Sequence, residues 1–241
     1  QNAVLCALHY VRFYGAHEVP FERLPLEWWI AAINVCDEEA EFTDKDGNVT
    51  TEPRYTTNGS FTFTTKPLDV LNQLEACFAG KIFRQMGQWY VRVGAWYGNP
   101  TYTINTDDVH GNIKIKWHAD LRVRANVVRA TFTDPEQNYE RTDAPPVISA
   151  AYQARDNQVL EKSITLPFVR SSTTAQRLAT IHLEQTRLGE IELPLKHKGL
   201  AAAVGRTVYL NLPGESISNK IYRVTERRFR LDGGVTLMCI E

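Results

Sequence analysis

Acidic residues and histidines form two short groups near the middle of the chain, and their types are suited to metal binding. The segment "DDVHG" holds Asp107, Asp108 and His110, and "HAD" holds His118 and Asp120. Carboxylate and imidazole side chains are ordinary zinc ligands, but neither segment has a further ligand at the spacing of a zinc site. Short Asp and His groupings are also common in turns. We therefore predict no metal site here.

A second acidic segment has part of the pattern of a calcium loop. In "DKDGNVTTEPRYT", Asp44, Asp46 and Asn48 alternate as calcium-binding oxygens do. However, Gly47 takes the fourth position instead of the sixth, and Tyr55 replaces the bidentate glutamate at the twelfth. The pair Asp46-Gly47 is typical of a tight turn, so a hairpin or long turn is the prediction for this segment.

Catalytic motifs are absent from the sequence. It has no G-x-S-x-G, no H-E-x-x-H, no P-loop and no dinucleotide-binding glycine pattern, and its six histidines are scattered. Pairs of acidic residues could serve a glycosidase, but a sequence does not reveal the carboxylate separation which that chemistry requires. We predict that the chain is not an enzyme and has no cofactor.

Composition indicates a globular protein. The chain has 241 residues, 43% of them hydrophobic and 23% charged, with a net charge of −1. The first half is net acidic and the second net basic, which suggests two domains but is too weak to indicate nucleic-acid binding. No apolar run approaches the roughly 20 residues of a membrane span. Because the chain begins with Gln1, we expect it to be a fragment of something longer.

The four cysteines, Cys6, Cys36, Cys77 and Cys239, are far apart and include no C-x-x-C pair. We expect all four to be small buried hydrophobic residues, not disulfide or zinc ligands, in a reducing compartment.

Hydrophobic spacing changes along the chain. A period near 3.6 predicts helices over 4–13, 28–36, 67–79 and 171–188, and alternation predicts strands at "SFTFTT" (60–65), "KIFRQ" and "QWYVRV". After Tyr102 alternation predominates, and the predicted strands are "NIKIKWH", "DLRVRANVVRATFT", "PPVISAAYQ", "VLEKSITLPF", "RTVYLNL", "NKIYRVTERRFRL" and "GVTLMCIE". The predicted fold class is α+β: an α+β domain over 1–101, then a mainly β, barrel-like domain over 102–241 that carries one helix.

Four cations are candidates for an interface or a channel surface. In "IKIKWHADLRVR", Lys114 and Lys116 alternate with apolar residues, and Arg122 and Arg124 flank Val123. If the segment is a hairpin, the four cations share one face, which would meet an acidic neighbour or a channel. The alternative is an outer sheet face covered only by water.

Aromatic residues cluster in "QWYVRVGAWYGNPTY". We expect Trp89 to lie in the core, and we take Trp96 and Tyr97 as candidates for a subunit contact or a carbohydrate platform.

Several segments, in their order along the chain, resemble the tail-tip, or host-specificity, protein J family of lambda-like phages. These segments are "CDEEAEFTDKDGNVTTEPRYTTNGSF" with the "LDVLNQL" helix after it, "VVRATFTDPEQNYE", "SSTTAQRLATIHLEQTRL" and "GRTVYLNLPG…IYRVTERRFRLDGGVTLMCIE". The resemblance spans nearly the whole chain, and its strength lies in the order of the pieces. The acidic hairpin over 44–48 is longer than in that family.

The resemblance implies a baseplate-hub fold and a structural role in a phage or prophage tail tip. It implies a homotrimer, with other tail-tip and tail-tube proteins as partners, around a channel that DNA crosses non-specifically, in support of host attachment and DNA delivery. It places the protein in the virion tail tip, and in the host cytoplasm during assembly. It also implies that Glu52–Tyr55 starts the first strand of an inserted α+β domain. A sugar- or receptor-binding module and a cell-wall hydrolase domain are the alternatives.

Overall fold

The computed structural model describes residues 1–14, 18–43, 47–95, 98–230 and 233–241. Its contacts divide the chain into two compact units, neither of which is a single stretch of sequence. Unit 1 consists of Gln1–Ala95 with Ala125–Glu184, and unit 2 consists of Trp96–Arg124 with Gln185–Glu241. The division into domains 1–101 and 102–241 stays a prediction; the contacts place the middle of the predicted second domain in unit 1.

Helices and strands follow one another in both units. In chain order they are α1 Ala3–Phe13, α2 Leu26–Asp37, β1 Glu39–Thr43, β2 Val49–Pro53, α3 Pro67–Ala76, β3 Lys81–Gln85, β4 Gln88–Arg92, β5 Thr103–Asn105, β6 Lys114–Lys116, β7 Val127–Asp134, β8 Glu140–Asp143, β9 Val147–Ile148, α4 Ala150–Asp156, β10 Glu161–Leu166, α5 Ser172–Gln185, β11 Glu190–Leu195, β12 Thr207–Leu212, β13 Ile217–Phe229 and β14 Val235–Ile240. Short 3₁₀ turns lie at Phe21–Arg23, Thr106–Asp108, Pro135–Gln137, His197–Ala201 and Pro213–Glu215.

Unit 1 combines helices, two hairpins and a small sheet. Helix α1 begins where its Asn2 cap accepts the Leu5 N–H, at 3.0 Å. Strands β1 and β2 form one antiparallel hairpin, and β3 and β4 form another. In the sheet, β7 is central: it runs parallel to β10 and antiparallel to β8 and β9.

A single hydrophobic core joins the two chain segments of unit 1. It takes Trp29 and Phe78 from the first segment and Phe132, Leu178 and Leu183 from the second. Because the apolar face of α5 packs into the same cluster as α1 and α2, the first 95 residues do not complete this core alone.

Unit 2 is built on a six-stranded sheet in the order β5-β12-β13-β14-β11-β6. Only β5 and β12 pair in parallel. Alternate residues of the long strands, such as Leu193, Val208 and Leu237, fill one core on one face. The α+β class is confirmed. Over the described residues, however, β5 and β6 remain separate edges, so the sheet is open and the barrel-like expectation is wrong.

The predicted strand over 60–65 does not form. Phe63 is 91% exposed, and the chain turns back through a Thr65 N–H to Thr62 carbonyl bond of 3.0 Å. The Thr62 and Thr64 hydroxyls also bond each other at 2.8 Å. Hydrogen bonds between neighbouring threonine side chains compete with the hydrogen bonds that would pair this segment with another strand. The alternation of apolar residues over 60–65 therefore does not produce a strand.

Two other segments differ from expectation. Strand β6 pairs with β11 and not with residues 121–124, where the Asp120 carbonyl accepts the Val123 N–H at 2.8 Å and closes a turn. In "PPVISAAYQ", only β9 is extended, because Ser149 accepts the Tyr152 N–H and caps α4.

Three of the four cysteines are buried as expected, and Cys6 is exposed. Burial raises the pKa of the Cys36 thiol to about 12 and that of Cys77 to about 11, so both stay protonated at neutral pH. The expectation that Cys6 is buried is wrong, because α1 presents it on its outer face.

Candidate interface surfaces

Lys114 and Lys116 lie on the edge strand β6 with their side chains exposed and paired. Lys114 Nζ is 3.1 Å from a Glu192 carboxylate oxygen, and Lys116 Nζ is 3.7 Å from one of Glu190. The partners are neighbours across the β6–β11 ladder. This part of the sheet is therefore a row of alternating charges and not a purely cationic strip.

The other predicted contact residues are not brought beside Lys114 and Lys116 by a shared hairpin. Arg122 and Arg124 lie at the turn after Asp120, where Arg124 Nε donates to the Ala119 carbonyl at 2.6 Å. Trp96 and Tyr97 lie outside the described residues. All six residues stay predictions as interface or channel positions.

Replacing Lys114 and Lys116 together with alanine is expected to change the free energy of unfolding by less than about 1 kcal/mol, because exposed ion pairs contribute little. Urea denaturation measures this change. The same variant tests the interface role. If the two lysines lie at a subunit contact, their removal weakens self-association; if they are covered only by water, their removal leaves self-association unchanged.

The carboxylate of Glu52 accepts hydrogen bonds from four side chains of unit 1. It accepts from the Ser171 hydroxyl at 2.8 Å, the Thr173 hydroxyl at 2.5 Å, the Thr174 hydroxyl at 3.1 Å and Arg177 Nη2 at 2.9 Å. The partners lie at the start of α5, where a negative charge is favoured by the helix dipole. Strand β2 is thereby fixed to α5.

Electrostatics keep Glu52 ionised. Burial alone would raise its pKa, but hydrogen bonds from Thr173, Ser171 and Arg177 outweigh burial and hold the pKa below its ordinary value. Arg177 also donates to the Arg54 carbonyl, and Arg54 pairs with Glu38 at 2.9 Å. These contacts position the hairpin against α5.

The sequence interpretation of Glu52–Tyr55 is therefore corrected. Pro53 ends β2 instead of starting a strand, and Tyr55 is buried with its hydroxyl donating to the Gly94 carbonyl at 2.7 Å. The segment is an anchor between a hairpin and the core of unit 1.

A cleft of about 870 Å³ lies beside α1 in unit 1. Its lining is mainly apolar and aromatic, with two arginines and one histidine. The described lining residues are Gln1, Leu5, Cys6, Leu8, His9, Tyr10, Arg12, Phe13, Phe21, Thr57, Asn58, Gly59, Phe61, Leu74, Phe168 and Arg170. The absence of a side chain at Gly59 lets the Phe168 ring lie against the backbone, since a Cβ there would stand 2.1 Å from the ring.

Two arginines supply the charge of this cleft. The Arg12 guanidinium lies 3.3 Å from the centroid of the Phe21 ring, and that of Arg170 lies 5.2 Å from the Tyr139 ring. The Nε atoms of Arg12 and Arg170 are buried and have no hydrogen-bond partner among the residues that the structure describes. The cleft is thus an apolar depression with fixed positive charge, chemistry suited to a carboxylate flanked by apolar side chains.

The acidic and histidine groups near residue 110 do not converge. Asp108 is buried in unit 2, where Lys198 Nζ contacts its carboxylate at 2.8 Å and the Asn105 N–H donates to it at 3.1 Å. Burial would raise its pKa, but these bonds hold it below the ordinary value. Across the described residues, no three His, Cys, Asp or Glu side chains are placed to hold a metal ion.

Within the described ranges, none of the helices combines the length and apolar character of a membrane span.

Sequence comparison decides the family. The model of a family described as "Putative phage tail protein" matches residues 66–227, which is more than half of the chain. The chain belongs to this phage tail protein family. No curated protein matches it.

Three solved structures are similar to this phage tail protein, and the first of them shares its fold. A chain from the virion of a native gene transfer agent particle has a TM-score of 0.58 and 16% identity, covering 76% of this chain and 40% of that chain. The 43 kDa tail protein of prophage MuSo2 from Shewanella oneidensis has a TM-score of 0.47 and 10% identity, covering 75% of this chain and 54% of that chain. A prophage tail protein from Listeria monocytogenes EGD-e has a TM-score of 0.44 and 10% identity, covering 86% of this chain and 67% of that chain.

The phage tail protein thus spans 40% of the gene transfer agent chain and about half of the MuSo2 protein. At 16% identity, the likeness to the gene transfer agent chain concerns the fold alone.

Proposed function

We propose that this phage tail protein is a structural, non-enzymatic subunit of the tail tip, of the baseplate-hub kind, in a phage or prophage virion. The observation that carries the proposal is the family match, because residues 66–227 include elements of both units. The fold shared with a chain of a virion particle supports the same role. Host attachment and DNA delivery would then be tasks of the assembled tip.

The proposed assembly is a homotrimer that surrounds the tail channel and contacts other tail-tip and tail-tube proteins. DNA would pass through the channel without sequence-specific contact. The ion-paired row on β6 and β11 is suited to such a surface, because alternating charges offer no continuous positive strip to hold a phosphate backbone. Arg122, Arg124, Trp96 and Tyr97 remain candidates for contacts between subunits.

Sedimentation equilibrium over a wide concentration range tests the trimer. We expect a mass three times the 27.4 kDa of the chain at high concentration, because a closed ring requires a definite stoichiometry. Electron microscopy of the same sample is expected to show rings with an open centre. A tight dimer would contradict three-fold symmetry, and a monomer at every concentration would contradict ring formation by this chain.

A further inference from the structure

Over the described ranges of the chain, the residues that line the cleft beside α1 carry only positive charge. Among the described residues that line it, Arg12, His9 and Arg170 are the ionisable basic groups, and none is Asp or Glu. Around them Leu5, Phe13, Phe21 and Phe61 are all exposed. An exposed apolar depression with buried, unbonded guanidinium nitrogens is unfavourable in water. It is therefore suited to an occupant that carries carboxylates beside apolar side chains.

The β1–β2 hairpin of the same unit has the complementary character. By its register, Glu39, Glu41 and Thr43 share one face with Val49 and Thr51, and every one of these residues is exposed. Val49 is 71% exposed. In the described part of the chain the hairpin is a two-stranded sheet with no third strand. Isolated hairpins are marginally stable, so this face gains from being covered.

The two faces of the β1–β2 hairpin have different surroundings. The opposite face carries Glu52, whose bonds to α5 hold the hairpin in place on its own unit. The acidic face is consequently presented outward in a fixed orientation, and docking it costs little conformational entropy. We call the residues Glu39, Glu41, Thr43, Val49 and Thr51 the acidic face.

We propose that the acidic face of one copy docks into the α1 cleft of a neighbouring copy. Carboxylates of Glu39 and Glu41 would approach Arg12 and Arg170, and Val49 would enter the apolar part of the cleft. This contact joins two different surfaces, which is the kind of contact that closes a ring when the rotation between copies permits. The proposal rests on the self-association in the proposed function and names the surfaces that make it.

A disulfide across the contact tests the proposal directly, because the cleft already contains the exposed Cys6 while the other three cysteines are buried. The variant is Glu41→Cys, oxidised with oxygen and copper phenanthroline, which takes the two thiol hydrogens and leaves the S–S bond. On a denaturing gel without reductant we expect a covalent trimer. Matched controls are Glu41→Cys with Cys6→Ser, which removes the acceptor, and Glu215→Cys, an exposed position of unit 2.

The results of this experiment test two statements separately, the docking of the acidic face into the cleft and the three-fold ring. A trimer dependent on both cysteines supports the docking and the ring. A dimer dependent on both supports the docking and overturns the three-fold ring. An uncrosslinked chain that still sediments as a trimer overturns the docking and keeps the ring, and a chain that is monomeric in both experiments overturns both. A disulfide within one chain also overturns the docking between copies.

Charge reversal gives an independent measurement. Arg12→Glu with Arg170→Glu, or Glu39→Lys with Glu41→Lys, is expected to raise the dissociation constant of self-association at least about tenfold, because like charges then oppose each other. An equimolar mixture of the two variants should regain part of the affinity, because both kinds of contact between unlike variants pair opposite charges. The recovery is partial because a ring of three still contains one contact between like variants. Arg155→Glu, an exposed change on α4 of the same unit, is the control and should have no effect. If both reversed variants associate as tightly as the unmodified protein, the docking is overturned; circular dichroism verifies that they fold.

Discussion

Replacing Glu52 with alanine will lower the free energy of unfolding by about 3 kcal/mol, the lower end of the range for a buried ion pair, because this pair is only partly buried. The side chains of Glu52 and Arg177 are 18% and 21% exposed, so both charges are largely removed from water. Without the carboxylate, Arg177 Nη2 and the hydroxyls of Ser171 and Thr173 lose their common acceptor. Urea denaturation of the variant and of the unmodified protein measures the difference.

The control for this prediction is Glu41→Ala on the same hairpin. Glu41 is exposed on the opposite face, and its replacement should change stability by less than about 0.5 kcal/mol. A loss below about 1 kcal/mol for Glu52→Ala would mean that water replaces the carboxylate at little cost, and that the anchor between β2 and α5 is weaker than its geometry indicates.

The same residue makes stability depend on pH. Because the folded-state pKa of Glu52 lies below its unfolded value, its contribution is present above the unfolded pKa of about 4.5 and is lost as the pH falls through the folded value. We therefore expect the stability of the protein to decline below about pH 4.5, and Glu52→Gln to decline less steeply over that interval. Equal slopes for the two proteins would show that other carboxylates, such as Asp108, dominate.

Replacing Trp29 with alanine is expected to cost about 4 kcal/mol, the usual loss for deleting a large aromatic side chain from a core. Trp29 is fully buried in α2, and its indole Nε1 donates to the Trp89 carbonyl at 3.0 Å. The change leaves a cavity between α2 and β4 and removes the hydrogen bond from the indole to the Trp89 carbonyl. Far-UV circular dichroism during urea denaturation measures the loss without relying on tryptophan fluorescence.

Two further variants separate the contribution of the buried ring from that of its hydrogen bond and from that of an exposed tryptophan. Trp29→Phe keeps most of the ring volume but lacks the donor, and a smaller loss of about 2 kcal/mol is expected. Trp117→Ala is the matched control, since this tryptophan is 48% exposed in unit 2, and its loss should be about 0.5 kcal/mol or less. If Trp29→Ala and Trp117→Ala had equal effects, the assignment of Trp29 to the core would be wrong.

Helices were predictable from the sequence where one face is apolar and a residue such as proline marks the end of the helix. The spacing of Val4, Val11 and Trp29 is enough to predict α1 and α2, and Pro67 correctly marks the start of α3. Strands β12 to β14 were predictable for the same reason, since alternate residues enter the core of unit 2. The alternation in residues 60–65 did not yield a strand because its threonines bond locally and the chain turns back at Thr62 to Thr65.

Strand β11 was missed because Pro194 interrupts its pattern. The proline is tolerated since β6 pairs only with Glu190–Glu192, and beyond that point β11 faces a loop. The Pro194 carbonyl accepts the His110 N–H at 2.8 Å on that side, and so the missing proline N–H breaks no ladder bond. A sequence cannot reveal where a neighbouring strand ends, and the pairing of β6 with β11 was missed for the same reason.

The candidate surfaces were only partly predictable. The segment around Glu52 was recognised as unusual, but its partners at Ser171 to Arg177 lie 119 to 125 residues away, and no local pattern connects them. The cleft was not predicted at all, since Leu5 and Phe13 read as ordinary apolar positions of α1. The structure shows them on its exposed side, which the packing of α1 against α2 and α3 determines.

The discontinuity of unit 1 has a consequence for synthesis on the ribosome. Its core needs Leu178 and Leu183, so the first 95 residues emerge long before the helix that completes their packing. Meanwhile the exposed apolar positions of α1 and the unpaired edges of the β1–β2 hairpin are accessible to other nascent chains. A phage tail protein made in many copies at once would therefore be exposed to premature association until residue 184 has been translated, and chaperone binding is expected to concentrate on this early segment.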